Sequence, residues 1–514
     1  MALLCETVTG ATMRELLAAR DAATAGGMVE LRLDGNRDLD VAAALHGRQM
    51  PAVVTCRASW EGGRFDGSED ERRAILHRAL EAGAEFVDVE WRAGFDDVIA
   101  HDPSRVVVSF HDFTGTPAGL DDRVAAMRRT GAGTIKVAYA AHRLCDTLPL
   151  RAIGEQGQAV VVGMGEPGVP SRLLASRYGS RWTFAGNAVA PGQMPAARMR
   201  DVFRFASIGP STRLFGVVSR TAMHSLSPVM HNAAFAAAGI DAAYVPLSTD
   251  DFADFLAYAD AMGFEGASVT IPFKLDALRA AAVQTPLAAA VGAANTLRRR
   301  RLRQAARSAS RESSADLSVR NADRPGEPGP YQWEATNTDV DGFLAPLEPL
   351  FPKGLAGVRV AVLGAGGSAR AVVAALASRG ARVAVHARRI EQAAEVAAAF
   401  GASPAALPPA PGSWDLLVNC TPLGGANRRH ESPMAGAPID GRAVYDLTYG
   451  DGDSALVADA RRAGRVVLDG LPMLIAQAER QFQWWTGQRP EPGIMQAAAL
   501  NALGRTATTT EATA

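Results

Sequence analysis

An α/β architecture in two halves is predicted by three observations. Eight short apolar runs alternate with segments of helical period over the first 187 residues, polar residues fall late in those runs, and a strand, a glycine turn and a helix follow one another within 358–389. At 514 residues the chain exceeds one ordinary core and implies two to four domains.

The runs are ALLCE (2–6), MVELRL (28–33), AVVTCR (52–57), EFVDVE (85–90), RVVVSFHD (105–112), TIKVAY (134–139), AVVVGMG (159–165) and WTFAGN (182–187), separated by segments such as EDERRAILHRALEAG. Eight strands alternating with helices in this length predict a compact (β/α)8 barrel, with an open doubly wound sheet as the alternative. A barrel places its site at the C-terminal ends of its strands, and polar residues cluster there. Glu30 and Arg32 share one face of the second strand, Arg57 ends the third, Asp88 and Glu90 the fourth, His111 and Asp112 the fifth, and Lys136 lies within the sixth. Charges directed into a barrel are costly unless they pair or do chemistry.

Of the 53 basic residues only Lys136, Lys274 and Lys353 are lysine. Where charge alone is wanted this chain uses arginine, so a lysine marks a task for a neutral amine or a titrating donor, with drift as the alternative for any single one.

A helical pattern, MPAARMRDVFRFA, ends near Ala206, and SIGPST (207–212) reads as a linker to the strand LFGVVS. A βα pattern then runs to about 297, where an Arg-rich stretch begins: residues 298–330 hold nine arginines with almost nothing to bury and are expected to form a disordered loop. No aromatic residues interleave these arginines, which disfavours a nucleic-acid patch. The stretch VRVAVLGAGGSARAVVAALASRGARVAVHARR (358–389) has the context of a dinucleotide site: Gly364, Ala365, Gly366, Gly367, Ser368 and Ala369 make the turn and open the helix whose free N–H groups meet a pyrophosphate. The next strand ends in Ala387, Arg388 and Arg389, where an NAD site has an acidic residue. NADP is therefore expected, its 2'-phosphate held by the two arginines, with two solvated side chains as the alternative. The chain returns through WDLLVNCTP, AVYDLTYG and VVLDG and closes with LPMLIAQAERQFQWWTG, and the tail after Arg505 is expected to fray.

A net charge of −1 with 48% hydrophobic and 21% charged residues gives no global argument for nucleic acid or an anionic membrane. No apolar run reaches transmembrane length and the start MALLCETVTG lacks a basic n-region, so a cytoplasmic protein is expected. Four scattered cysteines predict neither a disulfide framework nor a zinc site, and no metal is expected.

From about 214 to 500 the motifs FGVVSRTAMHSLSPVMHNAAF, SVTIPFK, GAANTL, NTDVDGF, GAGGSAR, NCTPLG, DLTYG and MLIAQAERQF together resemble shikimate dehydrogenase. That resemblance implies Lys274 and Asp339 as the catalytic pair, Ser225, Ser227 and Tyr449 on the substrate carboxylate, and Thr270, Asn295 and Gln477 on ring hydroxyls. Asn419, Thr421 and Gly470 would complete the NADP site. Over 1 to about 205, VELRLD, TCR, EGG, SFHDF, TIKVA and APGQ resemble type I 3-dehydroquinate dehydratase. By that resemblance Lys136 forms an imine with the substrate ketone, His111 moves the protons and Glu61 orients His111. Glu30, Arg32, Arg57, Arg172 and Gln193 would bind the substrate, and Arg32 or Arg57 is the expected cationic neighbour favouring a neutral amine at Lys136.

The implied organisation is a dehydratase barrel at 1–206, an α/β substrate domain at 213–340 carrying the Arg-rich insertion, a Rossmann NADP domain at 341–470 and C-terminal helices at 471–505 that return to the substrate domain. The implied function is dehydration of 3-dehydroquinate followed by NADPH-dependent reduction of 3-dehydroshikimate to shikimate, two consecutive steps of aromatic amino acid biosynthesis. Only small-molecule substrates are expected as partners, and the oligomeric state is left open. The alternatives are an active dehydrogenase half alone, or a non-catalytic sensor of quinate-like ligands, which has no need to keep Lys136, His111, Lys274 and Asp339 together. Departures from the family patterns are Val189 for the usual serine ahead of Gln193, Ser268 for the usual asparagine, and Ala387 and Gln392 at the 2'-phosphate site. The insertion must loop out if Asn295 and Asp339 are to meet.

Overall fold

The computed structural model describes residues 1–186, 190–301 and 331–505, so Val189 and residues 302–330 of the Arg-rich stretch lie outside it, as does the tail after Arg505. Two compact units are present, Met1–Phe264 with the chain from Thr486 onward, and Glu265–Trp485.

In the first unit, β1 (Leu3–Thr9), β2 (Met28–Arg32), β3 (Ala52–Thr55), β4 (Phe86–Glu90), β5 (Val106–Asp112), β6 (Thr134–Ala140), β7 (Ala159–Met164) and β8 (Trp182–Ala185) form one parallel sheet ordered β7-β6-β5-β4-β3-β2-β1-β8. Because β1 pairs with both β2 and β8, and β8 lies against β7 at the seam, the sheet curls into a barrel. Each apolar run became a strand, and the β-branched residues that most of them carry suit a sheet buried on both faces. Between strands, side-chain caps start the helices, as at Thr12, Asp40 and Ser68, the last a full capping box with Glu71. Cys5, Met28, Val53, Val107, Val160 and Trp182, all in the first halves of their strands, pack into one apolar cluster, which leaves the polar strand ends at the opposite mouth. The unit continues with the parallel pair β9 (Arg213–Ser219) and β10 (Ala242–Ser248), the helix Phe252–Met262, and the helices Ser227–Ala237 and Ile494–Ala502, which pack together.

In the second unit, β11 (Phe264–Val269), β12 (Val283–Gln284), β13 (Thr296–Arg301) and β14 (Tyr331–Thr336) lie in the order β11-β13-β14-β12. Residues 298–301 are corrected from loop to strand, since they complete β13, antiparallel to β14. Their partners lie far away in sequence: Arg298 pairs with Glu334 at 2.8 Å and covers the Trp484 ring, and Arg299 lies over Tyr331. The last pair of this ladder is Arg301 with Tyr331, so the remaining insertion joins two adjacent strand ends. Replacing 302–330 by a short turn is therefore expected to leave dehydrogenase kcat within about twofold, since loop length weakly affects closure; loss of turnover in a folded product contradicts this.

The Rossmann sheet comprises β15 (Arg359–Leu363), β16 (Arg382–His386), β17 (Ser403–Ala405), β18 (Leu416–Asn419), β19 (Ala443–Asp446) and β20 (Val466–Leu468), ordered β17-β16-β15-β18-β19-β20. The order reverses between β15 and β18, and the glycine turn leaves β15 at that switch point. No helix among the described residues is long and apolar enough to cross a membrane, and these residues hold no group of three or more His, Cys, Asp or Glu placed for a metal. All four cysteines are free, with Cys5 and Cys56 buried and Cys145 and Cys420 partly so.

Candidate active sites

The barrel mouth gathers charged strand ends into one cavity lined by Glu30, Arg32, Arg57, Glu61, His111, Lys136, Arg172 and Gln193, the eight residues the dehydratase resemblance implies, while Asp88, Glu90 and Asp112 lie outside its lining. Lys136 projects from mid-β6 and is 5% exposed. Its nearest neighbours are carboxylates, Asp88 at 3.0 Å and Glu30 at 4.0 Å, with the Phe184 ring 4.2 Å below the ammonium. The expected direct cationic neighbour is thus corrected: Arg57 is spent on Asp88 at 2.8 Å and Glu90 at 3.0 Å, and Arg32 on Asp34. Parallel register explains this, because β4, β5 and β6 place Asp88, Ser109 and Lys136 on neighbouring rungs. Burial works against ionisation of Asp88, but Arg57, Lys136 and the Ser109 hydroxyl hold it well below the usual carboxylate range. Glu30 is fixed by hydroxyls of Thr7 and Thr55, each at 2.8 Å.

His111, at the end of β5, is held by one oxygen of Glu61, which accepts from its backbone N–H at 3.1 Å and meets Nδ1 at 2.9 Å. With Nδ1–H donating, Nε2 keeps its lone pair. Burial, then the charges of Arg57 and Lys136, push the His111 pKa well below its ordinary value, so the imidazole is neutral at neutral pH. Burial raises Glu61 to about 7, with Arg57 opposing and Glu90 and Asp88 reinforcing.

Arg172 is 2% exposed and, among the described residues, has no carboxylate partner. Among these residues it donates to the carbonyls of Phe184 at 3.4 Å and Pro191 at 3.1 Å and its Nε has no partner, and burial lowers its pKa to about 10. A buried guanidinium left this way has donors free for a further acceptor. Asp88, Ser109, Thr7 and Thr55 are the supporting residues that sequence reasoning did not assign. Asp88 carried a signal, its place two residues before Glu90 on the same face.

In the second unit Lys274 and Asp339, both buried, pair at 2.6 Å, and Lys274 Nζ also donates to Ser368 Oγ at 3.0 Å. Asn295 meets Asp339 as expected, with Nδ2 2.7 Å from Oδ1 and also near Thr338 Oγ1 and Gln477 Oε1. Thr338, missed from the sequence, donates its backbone N–H to Asn295 Oδ1 at 2.8 Å; its signal was adjacency to Asp339. Ser268, which replaces an expected asparagine, donates to Gln481 at 2.6 Å. Thr270 and Tyr449 are partly buried, and burial raises the Tyr449 hydroxyl pKa. Ser225 and Ser227 belong to the first unit, where Ser225 Oγ accepts from Ser227 N at 3.1 Å.

Beside this cluster lies a cavity lined by Gly364, Ala365, Gly366, Arg388, Arg389, Gln392, Cys420 and Thr421. Gly364 has φ +108°, which requires glycine, and a Cβ on Gly366 would meet no atom within 4 Å, so the turn is open toward the cavity. A Cβ on Gly367 would instead sit 3.1 Å from the Lys274 side chain, so the turn and the lysine pack directly. Arg388 and Arg389 are exposed and, among the described residues, pair with no carboxylate, although Arg389 Nε donates to Gln392 at 3.1 Å. This donor set fits NADP: backbone amides for a pyrophosphate and two guanidiniums for a further phosphate. Asn419 is wholly buried, bonding Leu423 O and Asp446 at 2.9 Å each and accepting from Thr421, so it braces the loop after β18 and does not line the cavity. Gly470 lies against the Leu447 and Thr448 carbonyls and is likewise outside the lining.

Family comparison matches residues 4–210 to "Type I 3-dehydroquinase", 217–297 to "Shikimate dehydrogenase substrate binding domain" and 470–500 to "Shikimate 5'-dehydrogenase C-terminal domain". The bifunctional 3-dehydroquinate dehydratase/shikimate dehydrogenase of Arabidopsis thaliana is 31% identical over 90% of this chain and 77% of its own length. The NADP(+) shikimate dehydrogenases of Geobacter metallireducens and Nostoc sp. are 35% and 32% identical, each over 57% of this chain and 98% of their own. With both sets of side chains in place and a relative of this identity spanning both halves, the chain belongs to the bifunctional 3-dehydroquinate dehydratase/shikimate dehydrogenase family.

Proposed function

We propose that this chain dehydrates 3-dehydroquinate to 3-dehydroshikimate in the barrel and reduces that product to shikimate with NADPH in the second half. The division of labour follows the implied organisation: barrel at 1–206, substrate domain at 213–340, NADP domain at 341–470 and closing helices at 471–505. The observation that carries the reading is one cavity holding a buried lysine, a neutral histidine and an uncompensated arginine.

In the barrel, Arg172 takes the carboxylate while Glu30, Arg32, Arg57 and Gln193 hold the hydroxyl face. The Lys136 ammonium gives up one proton and adds as the free amine to the ketone carbon; that proton returns to the carbinolamine oxygen, which leaves as water and gives an iminium. The adjacent C–H bond is thereby acidified, and His111 Nε2 removes that proton. The enamine electrons then expel the β-hydroxyl, which takes the proton back from His111 as it departs as water. A second water hydrolyses the imine and frees Lys136, so the net change is loss of one water.

In the second site NADPH, when bound, supplies the hydride. Lys274, fixed by Asp339 and Ser368, donates a proton to the oxygen of the reduced carbonyl, while Asn295, itself held by the Thr338 backbone N–H, keeps Asp339 in place. Thr270 and Gln477 keep the proposed hydroxyl contacts, and Ser225, Ser227 and Tyr449 the proposed carboxylate role. The proposed compartment is the cytoplasm, whose reducing conditions suit four free thiols.

Borohydride added with 3-dehydroquinate, followed by peptide mapping, tests the first step: the reduced adduct is expected on Lys136, and an adduct elsewhere contradicts the assignment. The acid limb of dehydratase kcat/KM is expected near pH 7. His111 is already neutral there, and Glu61 ionises as pH rises through about 7, strengthening its hold on Nδ1–H, so the rate rises with pH. Glu61→Gln should remove that limb and lower kcat by about 10- to 100-fold. Arg388→Ala with Arg389→Ala is expected to raise KM for NADPH by about 10- to 100-fold, the worth of one or two charged hydrogen bonds, and to leave KM for NADH unchanged.

A further inference from the structure

A helix outside the barrel, Phe252–Met262, anchors two segments of the barrel. Its Asp254 is 1% exposed, accepting from Leu144 N at 2.8 Å and Cys145 N at 3.1 Å and from the Thr249 hydroxyl at 3.0 Å. Those two amides lie in the turn after β6, the strand that carries Lys136. One helical turn beyond Asp254, the buried Tyr258 hydroxyl meets that of Tyr178 at 3.0 Å. Tyr178 in turn meets Thr147 at 2.7 Å, and Thr147 donates to Leu144 O at 2.7 Å, closing a ring of buried polar groups. Tyr178 follows shortly after the helix Val169–Leu173, which carries Arg172 and packs against β10. At the far end of the anchoring helix, Arg177 donates to Met262 O at 2.9 Å and Arg151 to Ala261 O at 2.8 Å.

We propose that the Phe252–Met262 helix is a positioning element of the dehydratase, setting through Asp254 and Tyr258 the place of the Arg172 helix relative to β6. The inference rests on the reading of Arg172 as the carboxylate receptor. Removing Asp254 leaves two amides of a buried turn without an acceptor, and the ring through Thr147 and Tyr178 transmits the adjustment to the segment bearing Arg172. Small displacements of a charged clamp weaken binding steeply, whereas Lys136 and His111 sit on strands the ring does not include. The effect therefore falls on KM for the carboxylate substrate and spares kcat.

The test uses the full chain with Asp254→Ala, Asp254→Asn and Tyr258→Phe, measuring both activities in the same preparations. Asp254→Ala is expected to raise dehydratase KM about tenfold with kcat and dehydrogenase kcat within about twofold, as displacement of a binding group predicts. Asp254→Asn keeps a carbonyl acceptor and should recover part of the loss, and Tyr258→Phe should raise KM about threefold. Should Asp254→Ala fail to fold, Tyr258→Phe carries the test. Unchanged dehydratase KM in the folded variants overturns the proposal, as does a loss of both activities by the same factor. A wild-type chain that does not dehydrate 3-dehydroquinate overturns the functional reading itself, whereas active wild type with unaffected variants overturns only the role of this helix.

Discussion

Lys136→Arg abolishes the dehydratase, by on the order of 10⁵-fold in kcat, the scale on which covalent nucleophiles act, and leaves NADPH-linked reduction of 3-dehydroshikimate unchanged. Arginine is chosen because it keeps the charge. Lys136 faces Asp88 at 3.0 Å and Glu30 at 4.0 Å, so an apolar replacement would strand two buried carboxylates and confound lost chemistry with lost fold. A guanidinium satisfies them but cannot lose its proton to become a nucleophile. The activity is measured by appearance of the enone, and the reductase activity, whose lysine Lys274 lies in the other compact unit, reports on integrity within the same molecule. Residual dehydratase within about tenfold of wild type would mean that His111 works without an imine, contrary to the mechanism.

Lys274→Met lowers dehydrogenase kcat by about 10³-fold, within the range of a positioned general acid, and leaves the dehydratase untouched. The lysine lies between Asp339 at 2.6 Å and Ser368 at 3.0 Å and packs on Gly367, so it is held at the glycine turn where the nicotinamide cofactor is expected. Asp339→Asn should fall by a smaller factor, about 10- to 100-fold, because the amide still holds the amine through one oxygen but loses the charge that stabilises it. A rise in KM matched by an equal fall in kcat/KM, with kcat unchanged, would assign Lys274 to binding instead.

The fold was largely legible because its signals are local. Runs such as Val106–Val108 and Val160–Val162 are strands on any parallel sheet, and capping residues such as Ser68 with Glu71 mark helix starts. Lys136 stood out by composition and His111 by its place at a strand end. What stayed hidden depends on register and on partners distant in sequence. Asp88 meets Lys136 only because β4, β5 and β6 align as they do, and Thr7 and Thr55 reach Glu30 from strands on either side of it. Arg298–Arg301 read as loop from composition, yet form strand because Glu334, Tyr331 and Trp484 supply a charge and two rings from 32 to 186 residues away. Asn419 matched a cofactor motif by position, while its burial and its bonds to Asp446 and Leu423 are three-dimensional facts.

Giving the purified protein 3-dehydroquinate and NADPH alone, and following enone absorbance and NADPH oxidation together, tests whether one chain performs both consecutive steps. The enone is expected to appear first, and NADPH is then consumed to the equivalent of the substrate converted. Enone accumulating without NADPH loss would contradict the reductase assignment, and absence of both signals would contradict the dehydratase.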